Sequence, residues 1–394
     1  MRKVLFLAVP AVALAVTAAA LGQAGKGARS ATPGVDAAAQ VTCGKTRTIG
    51  FLVPKTGPAA DVGGQQVSWA NYYVSRYNRA HKRSKIRLQL ADTQLGGPNG
   101  TAEAVKAAQT VAANASALAI VGPAGSNEIV ATTKAMKDAG LAWISGSSTR
   151  TTLTTDGTRR GYMFRTVPPD AVQGVTAANF IRTKLKATRI YIIDDQETYS
   201  TGLADTVQSR LRGGGRTVTR DGVSQQESAF QSLIAKIARN TQVVYIPWQL
   251  SARAQAFGQQ MRASGRGSIK LMGADGLYSD EFAGVGTNVY TTNFPLNPKS
   301  KVIKAFRKSH GGRGDYFGAP TYAAVQIAAA AIDKACKNGT ATRAEVRGFI
   351  RRTRIAAKAS ILGVGLRFNR NGDLATAGKF GVYKSNGRTF LPFA

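Results

Sequence analysis

Twice along this chain, short apolar runs alternate with segments whose apolar residues recur at helical spacing. That alternation constrains the fold more than any other feature. In the first series, residues 49–53 read as a strand, 61–77 as a helix and 86–90 as a strand. Residues 101–114 then carry a helical stripe through Ala104, Val105, Ala108, Val111 and Ala112, followed by strand 118–121, helix 127–138 and strand 141–144. The second series runs helix 171–184, strand 190–193, helix 201–211, strand 217–220, helix 228–238, strand 243–246, helix 252–263 and strand 269–272. Strand and helix in strict alternation give a parallel sheet with helices on both faces. The expected architecture is therefore α/β, with two doubly wound parallel-sheet lobes. The Pro-rich stretch 164–169 (FRTVPP) reads as a crossing between them, and 290–295 as a second. The Ala-rich helix 322–334 is placed back on the first lobe, with a final return near 367–373. The expected domains are residues 45–165 plus 295–368 for lobe 1, and 166–294 plus 369–394 for lobe 2.

In open parallel sheets, ligands sit beyond the carboxyl ends of the strands. Residues 141–155 read LAWISGSSTRTTLTT, an apolar strand that ends in a cluster of hydroxyls. Residues 120–127 (IVGPAGSN) repeat the pattern of strand, small residues, hydroxyl and helix start. Such a cluster serves either as a helix cap or as a cup of hydroxyls and N–H groups for a small anion. In the second series the strand ends lead to Asp194, Asp195 and Tyr199, to Trp248 and Gln249, and to Asp275. Hydroxyls on one lobe, with a carboxylate and aromatics on the other, suit a zwitterion in a cleft: hydroxyls and N–H groups for its carboxylate, Asp275 for its ammonium.

Residues 1–24 have a charged start, Arg2 and Lys3, and an apolar stretch from Val4 to Ala20 interrupted only by Thr17. This is the layout of a secretory signal peptide, with an uncleaved anchor as the alternative. Residues 25–44 are rich in small residues and read as a flexible leader. The expected location is outside the cytoplasm, periplasmic or associated with the cell envelope, with an N-terminal tether under the anchor reading. An exported chain with two cysteines, Cys43 and Cys336, permits a disulfide; two free thiols are the alternative.

The 394 residues carry 53 Lys and Arg against 21 Asp and Glu, a net charge of +32. The basic residues are scattered in several clusters without interleaved aromatics, and export argues against a nucleic-acid partner. A basic surface suits an anionic envelope or an acidic medium. Catalytic machinery is not evident. The two histidines, His81 and His310, fall in a basic surface stretch and at a helix end. There is no nucleophile elbow, no metal-ligand spacing, and no phosphate or dinucleotide fingerprint. No cofactor, metal or catalytic residue is expected. The acidic pair Asp194-Asp195 reads as a turn or cap before it reads as a hydrolytic dyad. Arg313-Gly314-Asp315 reads as a chance match to an adhesion tripeptide.

Six short motifs occur in order: Gly57-Pro58 followed by Gly63; Ile120-Val121-Gly122 followed by Ser126; residues 144–149; Asp195 to Tyr199 with Gly202-Leu203-Ala204; Met272-Gly273 followed by Asp275; and Thr321-Tyr322-Ala323-Ala324. With them, residues 46–393 resemble the periplasmic leucine/isoleucine/valine-binding proteins, the type I solute-binding components of ABC importers. The resemblance implies two lobes joined by three crossings that close on a ligand, in a monomer that hands it to separate permease subunits. It implies that Ser126 and Thr149 hold the ligand carboxylate. The Ser147 carbonyl, Thr149 and Asp275 would hold its ammonium, and Tyr199 would close the cleft. Val62, Ala124 and Phe317 would line the side-chain pocket. Three positions depart from the family. Gln249, beside Trp248, stands where a tyrosine is usual, Asp275 replaces a glutamate, and Gly125 replaces a cysteine. An amide in the pocket suits a polar side chain, because buried polar groups need partners. The expected ligand is an amino acid or a similar small polar molecule, such as an amide. A ligand-sensing receptor on the same fold, an exported hydrolase and a basic envelope-binding protein are the rival readings.

Overall fold

The computed structural model describes residues 40–311, 316–376 and 378–393. The signal-peptide reading of 1–24, the leader up to residue 39 and the Arg313-Gly314-Asp315 tripeptide lie outside the described residues. The first run of elements is β1 (Val41–Thr42), β2 (Thr46–Val53), α1 (Ala60–Ala80), β3 (Lys85–Asp92), α2 (Ala102–Ala113), β4 (Ala117–Val121), α3 (Ser126–Asp138), β5 (Trp143–Ser145), the one-turn α4 (Thr152–Thr155) and β6 (Met163–Arg165). Strands β3-β2-β4-β5-β6, in that order, form a five-stranded parallel sheet. All five residues of β4 are buried, as expected of a central strand covered on both faces.

The second run is α5 (Asp170–Thr183), β7 (Arg189–Asp194), α6 (Thr198–Leu211), β8 (Thr217–Gly222), α7 (Gln231–Lys236), β9 (Val243–Ile246), α8 (Ser251–Met261), β10 (Lys270–Gly273), the one-turn α9 (Asp280–Ala283) and β11 (Val289–Asn293). The chain then forms α10 (Lys301–Ser309), α11 (Gly318–Ala335), β12 (Thr340–Ala341) and α12 (Arg343–Arg351), and ends in the hairpin β13 (Gly381–Ser385) and β14 (Phe390–Pro392). The second sheet has the order β14-β13-β11-β10-β9-β7-β8. Its last two strands are antiparallel, so this sheet is mixed rather than wholly parallel.

The chain passes between the sheets three times: after β6, after β11 and before β13. Phe164 and Arg165, expected in the first crossing, belong with Met163 to the edge strand β6, so the crossing is only 166–169. Residues 290–293, expected in the second, are the body of β11, paired on both sides. The expected helix 228–238 shrinks to α7, because the Glu227 carboxylate accepts from the Ser228 and Ala229 N–H groups and holds a turn there. Helix α12, short and strongly charged, is an addition to the sequence reading, and of the equally charged α10 only the end at His310 was expected.

Helix α11 lies on the first sheet between α1 and α12. Fourteen of its 18 residues are buried, seven of them alanines, whose small side chains let the helix axis approach the strands. Phe306 of α10 stacks on Trp69 of α1 at 3.8 Å, fixing this returning segment to the first lobe. Cys43 and Cys336 form a disulfide that ties the chain beside β1 to the end of α11. The β1–β12 ladder lies next to it.

Candidate functional site

The strand ends of the two sheets face each other across a cleft. Val62, Leu95, Ala124, Ser126, Ser147, Ser148, Thr149, Tyr199, Gln249, Asp275, Gly276 and Phe317 surround about 350 Å³ of space, counting its mouth. Nine of the ten residues singled out from the sequence therefore line one cavity.

Trp248 does not. Its indole is packed among Phe230 and Phe257, and its Nε1–H donates to the Ile193 carbonyl at 2.8 Å. The adjacent Gln249 reaches the cleft instead, and its Nε2 has no hydrogen-bond partner.

The first-lobe wall is tightly wired. Ser145 and Ser148 donate to the Pro123 and Ala124 carbonyls, and Ser147 donates to that of Ala124, at 2.8–2.9 Å for the shortest bonds. The Ser126 hydroxyl accepts from the Arg150 N–H. Gln66 of α1 donates to Ser147 at 3.0 Å. Gly146 is needed because a Cβ there would lie 2.5 Å from the Thr321 hydroxyl of α11. Beneath the loop lies Arg165 of β6, whose side chain is fully buried. Its guanidinium donates to the Thr149 and Arg150 carbonyls at 2.9 and 2.8 Å and to Thr154 at 2.9 Å, and it pairs with Asp373 of the third crossing at 2.6 Å. One buried cation thus holds both the hydroxyl loop and a crossing.

The second-lobe wall is acidic. Asp275 follows β10 and is 2% exposed. Tyr199, in the first turn of α6, donates its hydroxyl to the Asp275 carboxylate at 2.7 Å. Burial pushes the Asp275 carboxyl up to about 6, against the opposing pull of hydrogen bonds from Tyr199 and Gln173. Behind it lies Asp170, the first residue of α5, 1% exposed, with no hydrogen bond to either carboxylate oxygen. Burial, and then the like charge of Asp275, push its carboxyl up to about 8. The sequence reading passed over Asp170. An acid at the first position of a helix ordinarily reads as a solvated partner of the helix dipole, and only the Thr149 carbonyl, accepting from the Asp170 N–H at 2.8 Å, draws it under the cleft. Leu95, Ser148 and Gly276 are the other lining residues not singled out beforehand.

The walls also touch directly. Asn127 donates to Glu197 at 2.8 Å, Gln226 donates to the Gly96 carbonyl at 3.2 Å, and Arg150 bonds the Thr198 carbonyl and the Thr201 hydroxyl. Leu250 of the second lobe packs with Ala59, Leu95 and Ala124 of the first.

The acidic pair 194–195 is committed to structure. Asp194 pairs with Arg220, and Asp195 accepts from Gln225 and from the Glu197 and Gln249 N–H groups. His81 is exposed beyond α1, and His310 follows α10, stacked on Phe306. Among the described residues no cluster of His, Cys, Asp or Glu is arranged for a metal ion, and no helix is long and apolar enough to cross a membrane.

Residues 46–388 match the sequence profile of a family described as periplasmic binding protein. Among curated relatives, an amino acid binding protein of Pseudomonas aeruginosa is 29% identical over 310 residues, covering 75% of this chain and 81% of the relative. A Leu/Ile/Val-binding protein of Escherichia coli is 27% identical, covering 74% and 79%. Two solved structures share the fold. A leucine binding protein from Thermotoga maritima has a TM-score of 0.76 at 21% identity, over 88% of this chain and 98% of that one. A branched-chain amino acid transporter substrate binding protein from Streptococcus pneumoniae, in complex with isoleucine, has a TM-score of 0.74 at 22% identity, over 89% and 100%.

Proposed function

Since the chain belongs to the periplasmic binding protein family, we propose that it is an extracytoplasmic solute-binding protein that captures an α-amino acid between its lobes and delivers it to an ABC importer, without chemistry of its own. The observation that carries this reading is the pairing of a neutral hydroxyl wall with a buried, Tyr199-bonded Asp275 across one small cavity. Ser126 and Thr149, with the N–H groups of their loop, receive the ligand carboxylate. The Ser147 carbonyl, Thr149 and Asp275 receive the ammonium. Tyr199 closes over it from the second lobe. Val62, Leu95, Ala124 and Phe317 provide an apolar sleeve, and the unpartnered Gln249 amide favours a hydrogen-bond acceptor on the ligand side chain. Ligand held by the first wall gains its second set of contacts only when the lobes close, and that difference shifts the population toward the closed form. The closed form is what a separate permease reads, with the chain acting as a monomer.

The test is a thermal-shift screen of the chain lacking residues 1–24 against the common amino acids, small amides, urea and aromatic acids, with Asp275→Ala in parallel. A ligand at ~100 times its dissociation constant stabilises by roughly 2.7 kcal/mol. A stabilising α-amino acid whose effect vanishes in Asp275→Ala supports the reading. A hit that ignores Asp275 removes the ammonium assignment, and turnover of an amide removes the binding-only account.

A further inference from the structure

A second cavity lies on the other side of the crossings. It contains about 1150 Å³ of space, counting its open side, against about 350 Å³ for the cleft. All three crossings form its walls: residues 166–169, residues 294–297, and Asp373, Leu374, Thr376, Gly378 and Lys379. The lining is overwhelmingly apolar, with Val167, Phe294, Leu296, Ile303, Val364 and Leu374 prominent.

Its polar groups are mostly committed elsewhere. The Thr166 hydroxyl donates to the Pro320 carbonyl at 2.8 Å. The Asn297 amide caps the Lys299 N–H at 3.1 Å. Asp373 is neutralised by Arg165 and accepts from Thr154. Thr376 stands exposed at the rim. Lys379, also at the rim, makes no ion pair among the described residues. The cavity therefore offers an apolar chamber with one uncompensated cation at its edge.

A single aromatic layer separates it from the cleft. Phe294, in the cavity wall, meets Phe317, in the cleft wall, edge to face at 5.9 Å, and meets Phe380 at 6.0 Å. Val167 joins the same cluster, with Val62 of the cleft packed against it.

We propose that this hinge cavity is a second ligand site, for a small carboxylic acid with a compact apolar body, and that its occupant biases lobe movement. The body, aromatic or branched aliphatic, replaces water against the apolar walls, and the carboxylate pairs with Lys379. Lobe movement turns the backbone of the crossings. An occupant wedged among all three has different contacts in open and closed forms, which is the condition for shifting that equilibrium.

The experiment titrates 4-bromobenzoate into the chain lacking residues 1–24 by calorimetry, with small-angle scattering on the same samples and bromine anomalous diffraction on crystals grown with it. Binding is expected, with a bromine peak between Phe294 and Leu374. Lys379→Ala should weaken it about two- to fivefold, as loss of an exposed ion pair does. Val364→Trp, at a half-buried wall position, should abolish it with the melting temperature retained. Leu374→Trp is the second filling variant should the first fail to fold. The cleft variant Asp275→Ala should leave it unchanged. Scattering should register a change in radius of gyration on binding in the parent chain and none in Val364→Trp. Binding that survives both tryptophan variants, or that Asp275→Ala abolishes, would place the acid in the cleft and overturn the site. No binding at millimolar acid would do the same. Binding at the hinge with an unchanged radius would overturn the coupling.

Discussion

The two walls of the cleft are built on opposite principles. In the first lobe, Ser145, Ser147 and Ser148 are already bonded to backbone carbonyls, and Arg165 fixes the loop from below. That wall is neutral and ready before any ligand arrives. In the second lobe, Asp275 and Asp170 are carboxylates held in a site where ionisation is disfavoured, and neither carboxylate oxygen of Asp170 has a hydrogen-bond partner. A prepared wall supplies initial affinity. A wall that is uncomfortable without a cation supplies the gain on closing.

The largest expected effect tests that division directly. Asp275→Ala should weaken ammonium-ligand binding by roughly 3–4 kcal/mol, about two to three orders of magnitude, as removal of one partner of a buried charge pair does. The ligand-free variant should melt higher than the parent at pH 7.5, because an ill-solvated carboxylate is gone. Calorimetry and thermal melts on the same samples check both halves, and a variant that loses stability would erase the contrast between the walls.

Arg165→Met attacks the other wall. It strands Asp373 and unpairs the carbonyls of the hydroxyl loop, so about 3 kcal/mol of stability should be lost in denaturant titrations. Here affinity falls because the loop loosens, and ligand-free stability falls with it, the reverse of the Asp275 pattern.

The pH dependence should be opposite in sign for the two states. The folded, ligand-free chain holds protons on Asp275 up to about 6 and on Asp170 up to about 8, well above unfolded carboxyls. The native state therefore binds more protons than the unfolded one. The stability these groups contribute is full at acid pH and declines as pH rises from roughly 4 through those values. Ligand binding needs Asp275 ionised, so affinity for an ammonium should fall about tenfold per pH unit below about 6. Melts and calorimetry between pH 4.5 and 8.5, with buffer and salt held constant, check both slopes.

Smallest is Ser126→Ala, for which roughly 1 kcal/mol, about fivefold in affinity, is expected from one neutral hydrogen bond. The ligand-free melting temperature should barely move.

The alternation of runs carried the two sheets, and the hydroxyls after β4 and β5 pointed to the first wall, because local order determines what a parallel strand presents at its carboxyl end. Other features have no local signature. Trp248 and Gln249 are neighbours in sequence, yet one indole fills the core and one amide reaches the cleft, a choice made by the packing of α8 and α7. The burial of Asp170 depends on a carbonyl 21 residues earlier in the chain. Helix α12, and all of α10 but its end at His310, escaped because their exposed faces are densely charged, and only Ile303, Phe306, Val346 and Ile350 mark their buried sides.

The position of α11 has a consequence in time. The first sheet has all its strands by Arg165, but the helix that roofs it begins at Gly318. A chain threaded through a membrane N-terminus first would present that sheet uncovered while about 150 further residues follow, and Cys43 would wait 293 residues for Cys336. Lobe 1 is thus begun first and finished late. A secreted fragment ending anywhere before α11 should be a substrate for proteases and chaperones rather than a smaller working lobe.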